Sequence, residues 1–216
     1  RANNLKIVSI TLARGGSQEV PRKNIKSLNG KPLIYYVLSS IKSAGINERW
    51  VSTDDQEIAD ISNSFGANIL MRPPEMALNT SKCEEALRHF SNNVDFDVMA
   101  FVQTTSPMIK PDYIKQGIEM MRSGYDSVFT AYKEHWAPRW SLEVDPIGWE
   151  THKRPRRQQV RENYVENGSF YMTTREAFKK TGVRYSGKIG VVEMPFSESF
   201  QVDSYDDFSL IERLMK

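Results

Sequence analysis

The sequence runs to 216 residues, 39% hydrophobic and 26% charged. That is the make-up of a globular domain large enough to hold a core without disulfide staples. With Lys+Arg 29 against Asp+Glu 27 the formal net charge is +2, which excludes a nucleic-acid binder acting through bulk charge and an acidic tail protein. Cys83 is the one cysteine, and His89, His135 and His152 are the only histidines. A disulfide framework and a cysteine zinc site are therefore excluded, and a histidine metal site is disfavoured. No apolar run has membrane-spanning length and the N-terminus lacks the apolar core of a signal peptide, so the expectation is one domain over residues 1–216 in a reducing cytosol, with no membrane partner.

Periodicity gives alternating strands and helices. Residues 5–13 (LKIVSITLA) form an apolar, β-branched run that ends in a Gly-rich turn at 14–17, which predicts a buried strand. Residues 32–44 open on Pro32 and stop at Gly45, the Pro-in, Gly-out asymmetry of a helix. A strand over 49–52 leads to a helix over 55–65, with Asp54 and Glu57 spaced as a capping box. A strand over 68–71 is broken by Arg72-Pro73-Pro74. Then come a helix over 81–92 with a second such box from Ser81 to Glu84, a strand over 97–102, a helix over 111–122 and a strand over 127–132.

Residues 135–161 break the rhythm. They carry Trp136, Trp140 and Trp149, three of the 4 tryptophans, and the basic string KRPRR at 153–157. A structureless loop of this length is improbable in a compact domain, so an aromatic-rich arm that packs on a second subunit is predicted. The chain returns with strands over 168–173 and 187–194, a helix over 174–181 and a final helix over 203–215. The alternation predicts an α/β fold, a mostly parallel sheet with helices on both faces. Ligands in such sheets bind beyond the carboxyl ends of the strands, which singles out the loops at 14–24, 53–54, 72–80 and 103–107.

The tract ARGGSQEVPRKN at 13–24 is neither the dinucleotide glycine motif nor a P-loop. Gly15-Gly16 lets the backbone turn tightly and aim amides at one point, and Arg14, Arg22 and Lys23 ring the turn with cations, so a polyphosphate suits it; a glycine turn with solvated charges is the plainer alternative. Lys31, just before a predicted helix, is either a further phosphate cation or a solvated one. Thr53-Asp54 at a strand end offers a ligand contact or, for Asp54, a helix cap. Gln103, Thr104, Thr105 and Ser106 follow an apolar strand, and turn chemistry accounts only for Ser106-Pro107. Lys153, Arg154, Arg156, Arg157 and Arg161 suit an acidic small ligand or a carboxylate better than nucleic acid, although the same string has the look of a nuclear-localisation cluster. Asp203 stands at the entrance of the last helix, as an N-cap or as a magnesium carboxylate.

Taken together these strings resemble the acylneuraminate cytidylyltransferase family, the CMP-sialic acid synthetases and their relatives for legionaminic, pseudaminic and Kdo-type sugars. ARGGS…PRKNI, LNGKPLI, VSTDD, RP-x-E, QTTSP, RRQ, ENGSFY and QVDS occur in the family's order, from Lys6 to the C-terminus. The resemblance implies a Rossmann-like fold of the nucleotide-diphospho-sugar transferase type, with 135–161 as a dimerisation and substrate arm, a homodimer, and Mg²⁺. It implies transfer of CMP from CTP to the anomeric hydroxyl of an acidic 2-keto sugar, with release of pyrophosphate. By matching position, Arg14, Lys23 and Asp203 carry the chemistry. Ala13, Arg14, Gly15, Gly16, Ser17, Lys23, Asn24, Thr80 and Cys83 hold the nucleotide. Gln103, Thr104, Arg157, Gln158, Asn167 and Tyr171 face the sugar, with Arg157 at its carboxylate, and Asp203 holds the metal with Gln201 as a possible second ligand.

The chain departs from the family pattern in three places. Gln18-Glu19 stand where Lys-Gly is common, Cys83 where many sialic acid enzymes have Ser at a base-contacting helix start, and Gln201 where a second aspartate is common. Phosphoryl-type transfer asks a protein for positioning and charge neutralisation, and no Cys/His or Ser/His/Asp nucleophile arrangement is evident. The competing readings are another sugar-nucleotide pyrophosphorylase, acting on a sugar 1-phosphate, and a non-catalytic nucleotide-binding member marked by Gln201 and Gln18-Glu19. The end at Lys216, without the extra C-terminal domain of animal homologues, gives the expectation of a bacterial cytosolic enzyme.

Overall fold

The computed structural model describes residues 4–78 and 82–216. Ser81, the capping residue of the predicted box with Glu84, and the candidate residue Thr80 lie outside the described residues. In chain order the elements are β1 (Ile7–Leu12), the hairpin β2 (Ser27–Leu28) and β3 (Lys31–Pro32), α1 (Leu33–Ser43), β4 (Arg49–Thr53), α2 (Gln56–Ser64), β5 (Asn68–Met71), α3 (Cys83–Asn93), β6 (Val98–Val102), α4 (Pro111–Arg122), β7 (Ser127–Lys133), the hairpin β8 (Arg139–Trp140) and β9 (Pro146–Ile147), β10 (Tyr164–Thr174), α5 (Arg175–Thr181), β11 (Ile189–Glu193) and α6 (Tyr205–Leu214).

Seven strands form one sheet in the order β11-β7-β10-β6-β1-β4-β5. Every neighbouring pair is parallel except the two made by β10, which runs antiparallel to both β6 and β7. Central strands must be apolar on both faces when helices cover both, and β6 is buried along its whole length. Its Val98, Ala100 and Val102 pack with Ile34, Val37, Leu38 and Ile41 of α1 and Ile114 and Met121 of α4. Its Met99 and Phe101 pack on the other face with Leu87 and Phe90 of α3 and Phe178 of α5. Each of these larger apolar side chains, Ala100 apart, stabilises the fold by about 1.5–3 kcal/mol on full burial. A third cluster joins Val20, Leu28 and Leu33 to Val202, Phe208 and Ile211, and so fastens α6 over the first loop.

The order β5-β4-β1 reverses at β6, and a crevice opens at such a reversal beyond the strand ends. The predicted strand at 168–173 is longer than expected, because Tyr164, Val165 and Glu166 already pair with Lys133, Tyr132 and Ala131 before the register shifts between Glu166 and Tyr171. Gly168 lies in that irregularity at φ +73, the backbone region that glycine supplies at bulges. The polar Glu166-Asn167 step hides the strand from a hydrophobicity reading.

The arm at 135–161 contains the β8–β9 hairpin, too short to show periodicity, with Arg139 opposite Ile147 and Trp140 opposite Pro146. Trp149 meets Trp140 edge-on at 4.9 Å and Trp136 at 6.4 Å, and its Nε1 donates to the Arg139 carbonyl at 2.9 Å. Beyond this aromatic centre Leu142 is 98% and Val144 71% exposed.

Two predicted caps are displaced by one residue. Asp55, not Asp54, caps α2 by accepting the Ile58 N–H at 3.0 Å. Ser204, not Asp203, caps α6 in a reciprocal box with Asp207. Among the described residues no helix is long and apolar enough to cross a membrane.

Candidate active site

The crevice at the β1–β6 reversal holds a cavity of about 280 Å³. Arg14, Gly16, Ser17, Lys23 and Asn24 from the first loop, Cys83 from the start of α3, and Gln103, Thr104 and Thr105 from the β6 exit line it. Sequence reasoning had grouped these residues. It had not given roles to Leu12, Arg72, Met76, Leu78, Lys82 and Phe101, which complete the wall. Arg72 follows directly on β5, whose carboxyl end opens into the same crevice. That position is the signal that places the loop at 72–80 beside the crevice, and the structure adds the side chain of Arg72 to the wall.

The first loop is held by the end of β4. Asp54 Oδ1 accepts the Gly15 N–H at 2.8 Å. A Cβ at Gly15 would stand 2.9 Å from Asp55 Oδ2 and 3.0 Å from Asp55 Cβ, so glycine is required there by close approach rather than by φ. Arg22 adopts φ 55 and turns its guanidinium onto Asp55 at 2.5 and 2.9 Å and Glu57 at 2.7 Å. The Arg22 guanidinium holds the Asp55 carboxyl below its ordinary value. Arg22 is thus a clamp rather than a free phosphate cation, which corrects the expectation. Lys31 is also absent from the cavity wall, its ammonium lying 5.3 Å from the Tyr35 ring centroid. Gln18 and Glu19 are exposed and do not line the cavity, so the negative charge of Glu19 stays off its wall.

Asn24 is buried, donates to the Arg14 carbonyl at 3.0 Å and accepts from Thr104 Oγ1 at 2.6 Å. Its amide ties the first loop to the β6 exit instead of reaching for a phosphate. Ala13 is fully buried and its N–H donates to the Ser52 carbonyl at 2.9 Å. Gln103 Nε2 donates to the Gly168 carbonyl at 2.6 Å. Gln201 accepts from Thr105 Oγ1 at 2.6 Å and donates to Ser106 Oγ, so its amide seats the final motif on the β6 exit loop.

Asn167 and Tyr171 do not reach the cavity. Asn167 is buried and donates to Ser199 Oγ at 3.0 Å and Met194 Sδ at 3.3 Å. Tyr171 is buried, its ring 5.8 Å from that of Phe101, and its hydroxyl donates to Glu166. Burial, and then that carboxylate, push its pKa up. Arg157 and Gln158 sit on the arm, where Arg157 lines a separate cavity of about 360 Å³ with Trp136, Pro138 and Arg154. Within one chain the predicted sugar residues are therefore divided between three places.

Electrostatically the crevice is cationic. Arg14, Lys23, Arg72 and Lys82 line it, and no carboxylate does so among the described residues. Arg72 is 8% exposed and its Nε has no hydrogen-bond partner among the described residues. Burial pushes its pKa down; Asp54 and Cys83 pull it up, and Arg14 lowers it again. Lys23 Nζ stands 3.7 Å from Asp203 Oδ1, with the lysine side chain 19% and the aspartate 66% exposed. A buried guanidinium with an unpartnered nitrogen, on one wall with Arg14, Lys23 and Lys82, is arranged to receive an anion of several charges.

A mostly parallel, doubly wound sheet with a cationic pocket at its switch point defines the α/β class of fold, and a solved structure shares that fold. The structure of CMP:2-keto-3-deoxy-manno-octonic acid synthetase complexed with CTP superposes with a TM-score of 0.73 at 19% identity, over 97% of this chain and 98% of that one. The cytidylyltransferase family model matches residues 8–215, and the chain belongs to that family. It is 34% identical over 223 residues to N-acylneuraminate cytidylyltransferase A of Danio rerio, covering 99% of this chain and 51% of that protein. It is 29% identical over 227 residues to the CMP-N,N'-diacetyllegionaminic acid synthase of Legionella pneumophila, covering 98% of this chain and 97% of that protein. The chain spans about half the length of the N-acylneuraminate cytidylyltransferases it matches among fish.

Proposed function

We propose that this chain transfers CMP from CTP to the anomeric hydroxyl of an acidic 2-keto sugar of the sialic acid class. The observation that carries the reading is the gathering of Arg14, Lys23 and Arg72 around one cavity at the β1–β6 switch point that no carboxylate lines among the described residues. The sugar oxygen attacks the α-phosphorus of CTP, the bond to the β-phosphate bridge breaks, and pyrophosphate leaves. Arg14 and Lys23 hold the charge that develops on the leaving group. The hydroxyl proton passes to the Asp203 carboxylate, which stands beside Lys23. The cytosol, as a compartment holding CTP, suits this reading.

Mg²⁺ is compatible with the donor set. Magnesium is bound through one or two carboxylates, phosphate oxygens and water, and Asp203 offers one exposed carboxylate next to the cationic wall. Gln201 is a weak second ligand because both ends of its amide are engaged by Thr105 and Ser106. When bound, the ion would neutralise phosphate charge.

A homodimer would complete the sugar site. Arg157 and Gln158 lie on an arm whose Leu142 and Val144 are bare, and an arm crossing to a second copy would bring its basic end to that copy's crevice. The testing experiment is pyrophosphate release from each of the four nucleoside triphosphates against a panel of sialic, legionaminic, pseudaminic and eight-carbon 2-keto acids. Release with CTP and one of these sugars is expected. Release with sugar 1-phosphates instead would favour the pyrophosphorylase alternative, and none at all the non-catalytic one.

A further inference from the structure

We propose that Cys83 is a covalent modification site, at which a small anionic disulfide exchanges with the thiol and closes the nucleotide pocket. The proposal rests on the reading of that pocket as a CTP site. Cys83 is the sole cysteine of the sequence and is exposed, so no partner thiol within the chain competes for it. It is the first residue of α3, an 11-residue helix whose N-cap Lys82 supplies no side-chain cap. In disulfide exchange the thiolate is the attacking species.

The surroundings select the charge of the reagent. Cys83 and Lys82 share the cavity wall with Arg14, Lys23 and Arg72. Arg72 supplies an independent sign of an anionic ligand, being 8% exposed with Nε unpartnered among the described residues. The opposing charges in the first turn of α3 are Glu84 and Glu85. Glu84 is held by Arg184 at 2.9 and 3.1 Å, and that guanidinium lies 4.6 Å from the Tyr171 ring centroid. Glu85 is exposed.

In the reaction the Cys83 thiolate attacks one sulfur of the disulfide. A new S–S bond forms as the old one breaks, and the other half leaves as a thiolate that takes a proton from water. The disulfide is the oxidant, and excess small thiol reverses the exchange. The adduct then occupies a cavity of about 280 Å³.

The test uses the full chain with oxidised glutathione as the anionic disulfide and cystamine as the cationic one, each rate divided by its rate with free cysteine. The expected result is a normalised preference of roughly tenfold for oxidised glutathione, which shrinks in high salt. Arg72→Gln, or Lys82→Gln should the first variant not fold, reduces that preference. Saturating CTP slows labelling roughly tenfold through occupancy of the pocket. Protein carrying one adduct per chain by mass loses CTP binding by calorimetry and regains it with dithiothreitol. A normalised preference for cystamine, or unchanged CTP affinity after complete labelling, overturns the proposal alone. Failure of the unlabelled chain to bind CTP overturns the nucleotide reading and the proposal together.

Discussion

The Asp54 carboxylate accepts the backbone N–H of Gly15 at 2.8 Å across 39 positions of sequence. The neighbouring Asp55 meanwhile caps α2 and grips Arg22. Two adjacent acids at the end of β4 thus fix both ends of the turn that presents Arg14, Gly16 and Ser17 to the crevice. Asp54→Ala is expected to free the turn and raise the KM for CTP by roughly tenfold or more, the cost of losing a hydrogen bond to a charged acceptor. Asp54→Asn keeps an acceptor oxygen and is expected to restore most of the affinity. Steady-state kinetics of the pair check this; equal KM for both variants would show that the negative charge, not the acceptor, is what matters.

Arg14 and Lys23 are the cavity cations that the proposed reaction uses on the pyrophosphate. Each change to Ala is expected to lower kcat/KM by about 10²–10³. Both are on the surface of the crevice and outside the hydrophobic clusters, so thermal stability should hardly move. A few-fold effect in both variants would reduce the loop to a turn.

The Arg22–Asp55 clamp has a pH signature. Arg22 keeps the Asp55 carboxyl lower in the folded chain than its ordinary value of about 3.9. Its contribution is therefore full above that value and is lost as the pH falls through the folded pKa. The stability difference between wild type and Asp55→Asn should be constant near neutrality and shrink on acidification below about pH 4. Denaturant melts at several pH values measure it; a difference that grows on acidification would contradict the ion pair.

The sheet and its loops were legible because burial on both faces imposes an unbroken apolar run, as in Val98–Val102. The crevice residues were legible through their motifs. What failed was local competition. Asp54 and Asp55 are equally good caps in sequence, and only the close approach of Gly15 decides which is free to hold the loop. Asp203 and Ser204 present the same ambiguity. Arg72 was legible as part of a crevice loop, but the prolines after it marked only a strand end and gave its side chain no role; Asn167 and Tyr171 were misplaced because the irregular register of β10 leaves them buried in the core instead of in the crevice.

The arm gives a prediction about assembly. Leu142 and Val144 expose apolar surface on a hairpin whose tryptophans already pack on each other, a surface that solvent disfavours. On the proposed reading the chain is a two-fold dimer at micromolar concentration, and Leu142→Asp with Val144→Asp shifts it toward monomer in light scattering. Activity should fall with the dimer, since Arg157 then loses its crevice. A fully active monomer would remove the arm from the sugar site.

Asp203 offers the sharpest separation of chemistry from stability. It precedes α6, where a cap would be expected, yet Ser204 and Asp207 make the reciprocal cap between themselves. The Asp203 backbone N–H donates to Asp207 at 2.9 Å, while its own carboxylate faces Lys23. Asp203→Asn therefore leaves the cap intact and should change stability by no more than about 0.5 kcal/mol, as an exposed substitution does. If this carboxylate takes the sugar proton or holds Mg²⁺, the same change removes most of the turnover. Ser204→Ala is the mirror case, expected to cost about 1 kcal/mol as a lost N-cap while turnover below the melting range persists. Gln201→Asp adds a carboxylate beside Thr105 and Ser106 and should lower the Mg²⁺ concentration for half-maximal rate. Melting curves and Mg²⁺ titrations of the three variants decide the matter. An Asp203→Asn enzyme with wild-type turnover and an unchanged Mg²⁺ curve would leave Asp203 only its ion pair with Lys23.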